Sequence, residues 1–383
     1  MGSVDIVWMV LILGGAGYLL YRSVWKKKGH CQGCDNAGCS KKFLVAPAVL
    51  LGCLLAPAST TLAADGSDEI RVALASTAEI YHTPAEKKTA GLGENITKNV
   101  TISGLIELEA AFSSSESDLS LATAQLGIGV ATGARISGNL ILLSEDGEEP
   151  TVDEATIDLA ESRWFARLGL QYLPFGHFNT HFISDPLILE LGETRGTAIL
   201  GGFKTEQFAL SAFVFNGDAE QAGEEDRIRD WGASLTVTPL QVLEIGASYL
   251  SDLADGNAGL FAEVDNIYRS RVACWSSFAV LDLGVVELSG EVLGAIGRYS
   301  AADGGGQPQA WNLELAVAPT EKVELAARVE GSSDFPAAAG RRYGVGASWS
   351  PRDQVSLSAE YLRATGDDGD DVSIVTARIA LEF

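Results

Sequence analysis

The chain has 383 residues, of which 27 are basic and 51 acidic, giving a formal net charge of −24. Hydrophobic residues make up 46% and the mean hydropathy is +0.14, which excludes a disordered chain, while the acidity excludes nucleic acid as the main partner. Five cysteines are too few and too unevenly placed for a disulfide scaffold.

Residues 6–21 (IVWMVLILGGAGYLLY) carry no charge and are long enough to cross a bilayer as a transmembrane helix. Lys26, Lys27 and Lys28 follow directly, which puts the next segment on the cytoplasmic side. That segment, GHCQGCDNAGC, presents His30, Cys31, Cys34 and Cys39 at a spacing suited to a soft or borderline metal; a reduced cysteine-rich tail without metal is the alternative. With one apolar span, a lysine run and this cysteine array, residues 3–39 resemble the FeoB-associated cysteine-rich membrane proteins. The resemblance implies a setting of ferrous iron uptake at the inner membrane.

Lys41 and Lys42 then lead an apolar run (FLVAPAVLLGCLLAPA) and a small-residue stretch, the three regions of a secretory signal over 41–64 with cleavage after Ala63 or Ala64. A signal behind a membrane span is a conflict. A fusion or misplaced start, with residues 1–40 foreign to the mature protein, is one explanation; a true inner-membrane tether is the other. Residues 65–98 are polar and aperiodic and read as a periplasmic lead-in.

From Asn99 to Phe383 the hydrophobic pattern has period two, as in half-buried strands. Ile106, Leu108, Ala110 and Phe112 fall on one face, and Glu107 and Glu109 on the other. Sixteen such runs start near residues 99, 118, 135, 151, 164, 196, 207, 229, 242, 269, 284, 308, 322, 341, 354 and 371. Connections after even-numbered runs are short (KTEQ, TPLQ, APTEK, SPRD), whereas those after odd-numbered runs are long, polar and often acidic. That parity, with both termini on the short-turn side, is what an outer-membrane barrel requires, and a soluble sandwich has no reason to produce it. The expected fold is therefore all-β: a transmembrane antiparallel barrel of about 16 strands over residues 99–383. A polar face carrying both signs of charge (Glu107, Glu109, Glu314, Arg328, Arg378) is expected to line a water-filled lumen. The closing Phe383, after apolar residues at every second position, has the form of the signal read by the outer-membrane assembly machinery.

One loop stands apart, PFGHFNTHFISDPLILELGETR, residues 174–195. It is long and apolar, with Ser184 placed to cap a short helix, Pro186 in its first turn and Gly192 near its end. Such a loop is expected to fold into the channel and constrict it; packing on the rim or on a neighbouring subunit is the alternative. His177, His181 and Asp185 recur every four residues and would converge as metal ligands only on a helix. A permanent metal there would also obstruct release of a solute. Arg195 can pair with a substrate carboxylate, or with Glu190 or Glu193 to brace the loop.

The stretch LGLQYLPFGHFNTHFISDPLILELGETR, with FVFNGD at 213–218, resembles the LbtU-type siderophore porins, and weaker similarity runs over about 100–383. The resemblance implies plug-less uptake of a ferric siderophore; by their chemistry His177, His181, Asp185, Glu190, Glu193 and Arg195 of the loop are the candidate selectivity residues. It also implies a place in the outer membrane of a Gram-negative bacterium; acidic external loops suit divalent-ion bridges to lipopolysaccharide, and porins in general are often homotrimers. A general or ion-selective diffusion porin and a non-conducting structural or adhesive barrel are the competing readings. No phosphate loop, G-x-S-x-G elbow or H-E-x-x-H occurs, so the chain does not read as an enzyme and no cofactor is expected.

Overall fold

The computed structural model describes residues 99–114, 116–223, 227–256, 267–335, 338–365 and 371–383. The expected transmembrane helix, the His30, Cys31, Cys34 and Cys39 array, the signal segment and the lead-in all lie outside the described residues.

The strands are β1 (Val100–Ser113), β2 (Ser117–Thr132), β3 (Ile136–Glu145), β4 (Thr151–Glu161), β5 (Trp164–Tyr172), β6 (Arg195–Lys204), β7 (Phe208–Phe215), β8 (Glu220–Gln221) and β9 (Asp230–Leu240). They continue with β10 (Leu243–Leu250), β11 (Ile267–Tyr268), β12 (Cys274–Asp282), β13 (Val286–Ala295), β14 (Gln309–Thr320), β15 (Val323–Ser333), β16 (Arg341–Arg352), β17 (Val355–Thr365) and β18 (Asp371–Glu382). All but β8 and β11 form one closed antiparallel barrel of sixteen strands, and those two make a small parallel ladder of their own. A single short helix, α1 (Leu187–Gly192), completes the regular structure used below.

Burial in this barrel is the reverse of a soluble protein's. On β1 the outward Ile106, Leu108 and Phe112 are 41%, 46% and 51% exposed, while the inward Glu107 is 9% exposed. Outward Ile199, Val345 and Trp349 continue the apolar exterior around the wall. An apolar band of this extent is stable only against a medium that does not hydrogen-bond, which is the surface of a membrane barrel. Period-two alternation is thus read in opposite senses on the two faces, apolar outward and polar inward.

Fifteen of the sixteen expected strand starts lie within two residues of those observed, and one does not. The run expected from 269 begins at Cys274, because the Arg269 and Ser270 amides donate to the Asp303 carboxylate (3.0 and 3.2 Å) and cannot join a ladder. Loop parity holds for most of the wall: turns such as 205–207 and 241–242 are tight and the connections 173–194 and 296–308 lie at the opposite end, but there β1 and β2 are joined by residues 114–116 alone, a short connection where a long one was expected. The barrel closes where β1 meets β18, with Glu109 opposite Arg378. Phe383 and Gly104 exchange backbone hydrogen bonds (2.8 and 3.0 Å), and the Phe383 ring occupies the space that a side chain on Gly104 would need.

Candidate functional site: a loop fastened inside the barrel

The loop over 173–194 leaves β5 and turns into the lumen. Its base is pinned by the Leu173 amide on the Thr194 carbonyl (2.8 Å). Gly176 sits at φ +84°, a left-handed conformation that costs glycine little, and Phe178 is held at φ 55°. Four successive segments of the loop backbone then meet the barrel wall, each through a carboxylate.

Glu291 of β13 accepts from the His177 and Phe178 amides (both 2.9 Å). Glu314 of β14 accepts from the His181 amide (2.5 Å) and the Thr180 hydroxyl (3.0 Å). Glu360 of β17 takes the Ile183 and Ser184 amides (2.7 and 3.1 Å), and Glu330 of β15 takes the Leu187 amide (2.7 Å). None of the four is more than 6% exposed. A buried carboxylate is tolerable only when several donors surround it, and here the loop supplies them. The loop and the wall therefore satisfy one another.

Two arginines complete the fastening. Arg328, opposite Glu314 in the β14–β15 ladder, donates to the Thr180 hydroxyl (3.1 Å), the Ser184 carbonyl (2.9 Å) and the Ser184 hydroxyl (3.0 Å). Its Nε lies 3.1 Å from Glu330, and its guanidinium covers the Phe182 ring at 4.4 Å. Arg342 of β16 bonds Glu330 (2.7 Å), Glu190 (3.3 Å) and the Asp185 carbonyl.

The expected ligand residues are not brought together. Residues 177–185 are not helical, so His177, His181 and Asp185 do not share a face. His177 stacks on Phe278 (centroids 4.1 Å apart), and His181 is held between Glu324 (Nδ1, 2.8 Å) and Glu287 (Nε2, 3.1 Å). Burial by itself lowers the His181 pKa, but the hydrogen bonds to Glu287 and Glu324 override it and push it up to about 10. At neutral pH it is an imidazolium clamped between two carboxylates. No group of His, Cys, Asp and Glu among the described residues is arranged to hold a metal ion.

Other expectations need correcting. Ser184 does not cap α1; Pro186 occupies that position without a side-chain cap, and Glu330 satisfies the first helical amide instead. Arg195 braces the loop base, but through neither Glu190 nor Glu193. It stands in step with Thr197 and the 60%-exposed Ile199, on the face turned away from the lumen, and bonds Asp153 (2.8 Å). Asp153 is the extra residue of a bulge in β4, which re-aims it to receive both Arg195 and the Tyr172 hydroxyl (3.0 Å). Glu193 is pushed up to about 7 by burial, then by Asp185, Asp153 and Glu145 nearby.

Of the residues expected to face the lumen, Glu314 and Arg328 are covered by the loop, whereas Arg378 pairs with Glu107 (3.2 Å) and Glu109 (3.8 Å). Glu291, Glu330, Glu360 and Arg342 were not anticipated. The available signal was a charged residue at an inward position between apolar neighbours, as in GEVLG or AEYL.

Around the other end of the loop the lumen is apolar. Leu187, Ile188 and Leu191 of α1 pack with inward Leu200, Phe213, Phe215, Leu250 and Leu293 in one core that also includes Leu253, Tyr268 and Tyr299 of the long loops. The β6–β14 side of the lumen is thereby filled toward the long-loop end. The β1–β5 side carries the ion pairs Asp158–Arg167 (2.5 Å) and Glu107–Arg378.

Residues 4–42 match the family of FeoB-associated Cys-rich membrane proteins. Over 187 residues, 44% of this chain, there is 26% identity to a UPF0422 protein of Coxiella burnetii, and that match spans 40% of the relative's length. Among solved structures, an anion-selective porin from Comamonas acidovorans superposes with a TM-score of 0.58 at 14% identity, covering 74% of this chain and 99% of that one. The outer membrane channel DcaP of Acinetobacter baumannii gives 0.54 at 13%, covering 74% and 97%. The trimer form of OmpT, an outer membrane protein of Vibrio cholerae, gives 0.53 at 11%, covering 74% and 99%. At such identities the likeness is one of fold, and the barrel has the fold of outer-membrane porins.

Proposed function

We propose that the barrel is an outer-membrane porin for uptake of a ferric siderophore, with the inward loop over 173–194 as its selectivity element. The observation that carries the reading is the fastening of that loop. Four buried glutamates and two arginines hold it across the lumen, which fits a constriction that must keep its shape. Iron enters the reading through the resemblance of 168–195 to LbtU-type siderophore porins and through the FeoB-associated match at residues 4–42.

In this reading the short turns face the periplasm and the acidic long loops face outward, where they can bridge divalent ions to lipopolysaccharide. Assembly as a homotrimer and recognition of Phe383 by the barrel assembly machinery belong to the same reading. A cation-selective diffusion porin is the second reading, favoured by the acidic residues around the loop, Glu145, Asp185 and Glu193, since such a lining repels anionic chelates.

The test is single-channel conductance of the purified barrel in planar bilayers, with and without ferric siderophores. Concentration-dependent block by one siderophore class, weakened in His181→Ala, is the expected result. Ohmic channels indifferent to every siderophore would leave the diffusion porin, and a folded barrel without conductance would overturn both.

A further inference from the structure

Beneath the inward loop, the short-turn half of the lumen contains a cavity of about 430 Å³. Its wall is built from residues 204–209, 236–244 and 280–287, and His177 and Asn179 of the loop line it as well. On the same strands, farther toward the long-loop end, Leu200, Phe213, Leu250 and Leu293 are at most 3% exposed. The chamber is thus backed by the apolar core and lies toward the short-turn end. Its size is that of a site for a small organic molecule.

The lining fixes the sign of the ligand. Lys204 is the single lysine or arginine in it, set against the carboxylates of Glu206, Glu244, Asp282 and Glu287. Thr236, Thr238 and Gln241 offer neutral hydrogen-bonding groups, and Val280 and Leu243 offer apolar surface. A compact cation with a hydrocarbon body matches all three kinds of wall, whereas an anion would face four carboxylates against the one lysine.

Glu287 has a second role. The carboxylate that lines the chamber also receives the His181 ring at 3.1 Å, so it belongs both to the chamber and to the loop fastening. The groups facing His181 are Glu287 on β13, Glu324 on β15 and, at its backbone amide, Glu314 on β14.

We propose that this chamber is a binding site for small organic ammonium ions entering from the short-turn end, and that an ammonium seated on Glu287 competes with His181 and loosens the inward loop. Only the second half of the proposal rests on the porin reading. Occupancy of the chamber then acts on the constriction from below, through a carboxylate shared between ligand and latch.

The probe is phenethylammonium, with 2-phenylethanol as a neutral control of the same body, titrated calorimetrically into the full folded chain. Saturable binding of the ammonium alone is expected, weakened at least tenfold in Glu244→Gln, which does not touch the loop, and in Glu287→Gln. Thr236→Trp, which fills the chamber, should abolish it. Equal binding of both probes, or binding that survives Thr236→Trp, would overturn the site. In bilayers, the ammonium added at the short-turn side should increase open-channel noise at lower concentration than at the other side. Binding without that asymmetry would overturn the coupling to the loop. A barrel that binds but never conducts would refute the porin reading while leaving the site established.

Discussion

Arg328→Met removes the centre of the loop fastening and leaves its partners in place. The side chains of Arg328 and Glu330 are both 0% exposed, and Glu314 is 1% exposed, so water cannot replace the lost guanidinium without the loop moving. Breaking one member of a buried charge pair costs about 3–5 kcal/mol, because the remaining charge is uncompensated. The Ser184 carbonyl and hydroxyl and the Thr180 hydroxyl lose donors or partners at the same time. At about 1.4 kcal/mol per tenfold, this penalty raises the equilibrium for loop release by roughly two to three and a half orders of magnitude. Strand ladders on either side are untouched, so the barrel itself should still resist unfolding in detergent until heated. The assay is single-channel recording: long-lived openings to a larger conductance should appear in Arg328→Met and be rare in the parent. The double variant Arg328→Met with Glu314→Gln should recover part of the difference, since Glu314, unlike Glu330 with its bond to Arg342, keeps no arginine and is then neutral. Identical conductance histograms for Arg328→Met and the parent would refute the idea that these contacts hold the loop.

Three further outcomes follow from the geometry. Glu193 titrates near pH 7, so the ratio of cation to anion permeability should rise between pH 6 and 8, and reversal potentials of Glu193→Gln should show no such step. Asp255, in the connection 251–273, is pushed up to about 8 by burial and then by Asp252; a raised carboxyl pKa favours the protonated folded form, so stability should fall as pH rises from about 4 to about 8. Asp255→Asn should flatten that slope in thermal melts taken across the range. Arg195→Ala should cost about 1–3 kcal/mol of stability by leaving Asp153 with the Tyr172 hydroxyl alone, yet leave solute preference unchanged, because Arg195 faces away from the lumen.

The barrel was legible because membrane strands state their environment twice. Outward positions need apolar side chains for the whole height of the wall, and loop lengths must alternate because only one end carries long connections. Ile106, Leu108 and Phe112 against Glu107 and Glu109 carry the first signal, and KTEQ against NGDAEQAGEEDR the second. The place where the reading slipped, 269 against 274, is one where a distant carboxylate, Asp303, captures amides that local pattern would give to a ladder. The interior of the loop was legible in kind but not in detail. Its apolar character marked it as folded inward, while its carboxylate partners on the wall lie 106 to 177 residues away in sequence. Spacing within the loop suggested a helical histidine face, but the backbone there follows the row of wall carboxylates, and that row is visible only once strand register is known.

The two sides of the lumen carry different kinds of free energy, and this bears on how the barrel can discriminate. Toward β6–β14 the space is filled by apolar packing, where a solute would have to displace well-buried side chains such as Leu250 and Leu293. Toward β1–β5 the inward surface is charged, and its arginines are already paired: Arg167 with Asp158, Arg378 with Glu107 and Glu109. Paired cations give little net field, whereas Glu193 has Asp185, Asp153 and Glu145 nearby against Arg195 alone. The passage is therefore narrowed by packing on one side and acidic on the other. In the proposed reading, a solute that crosses it would be small enough to clear the loop and neutral or cationic overall. For a ferric chelate this excludes complexes whose ligand charge exceeds that of the metal, and it favours those that cancel or undershoot it.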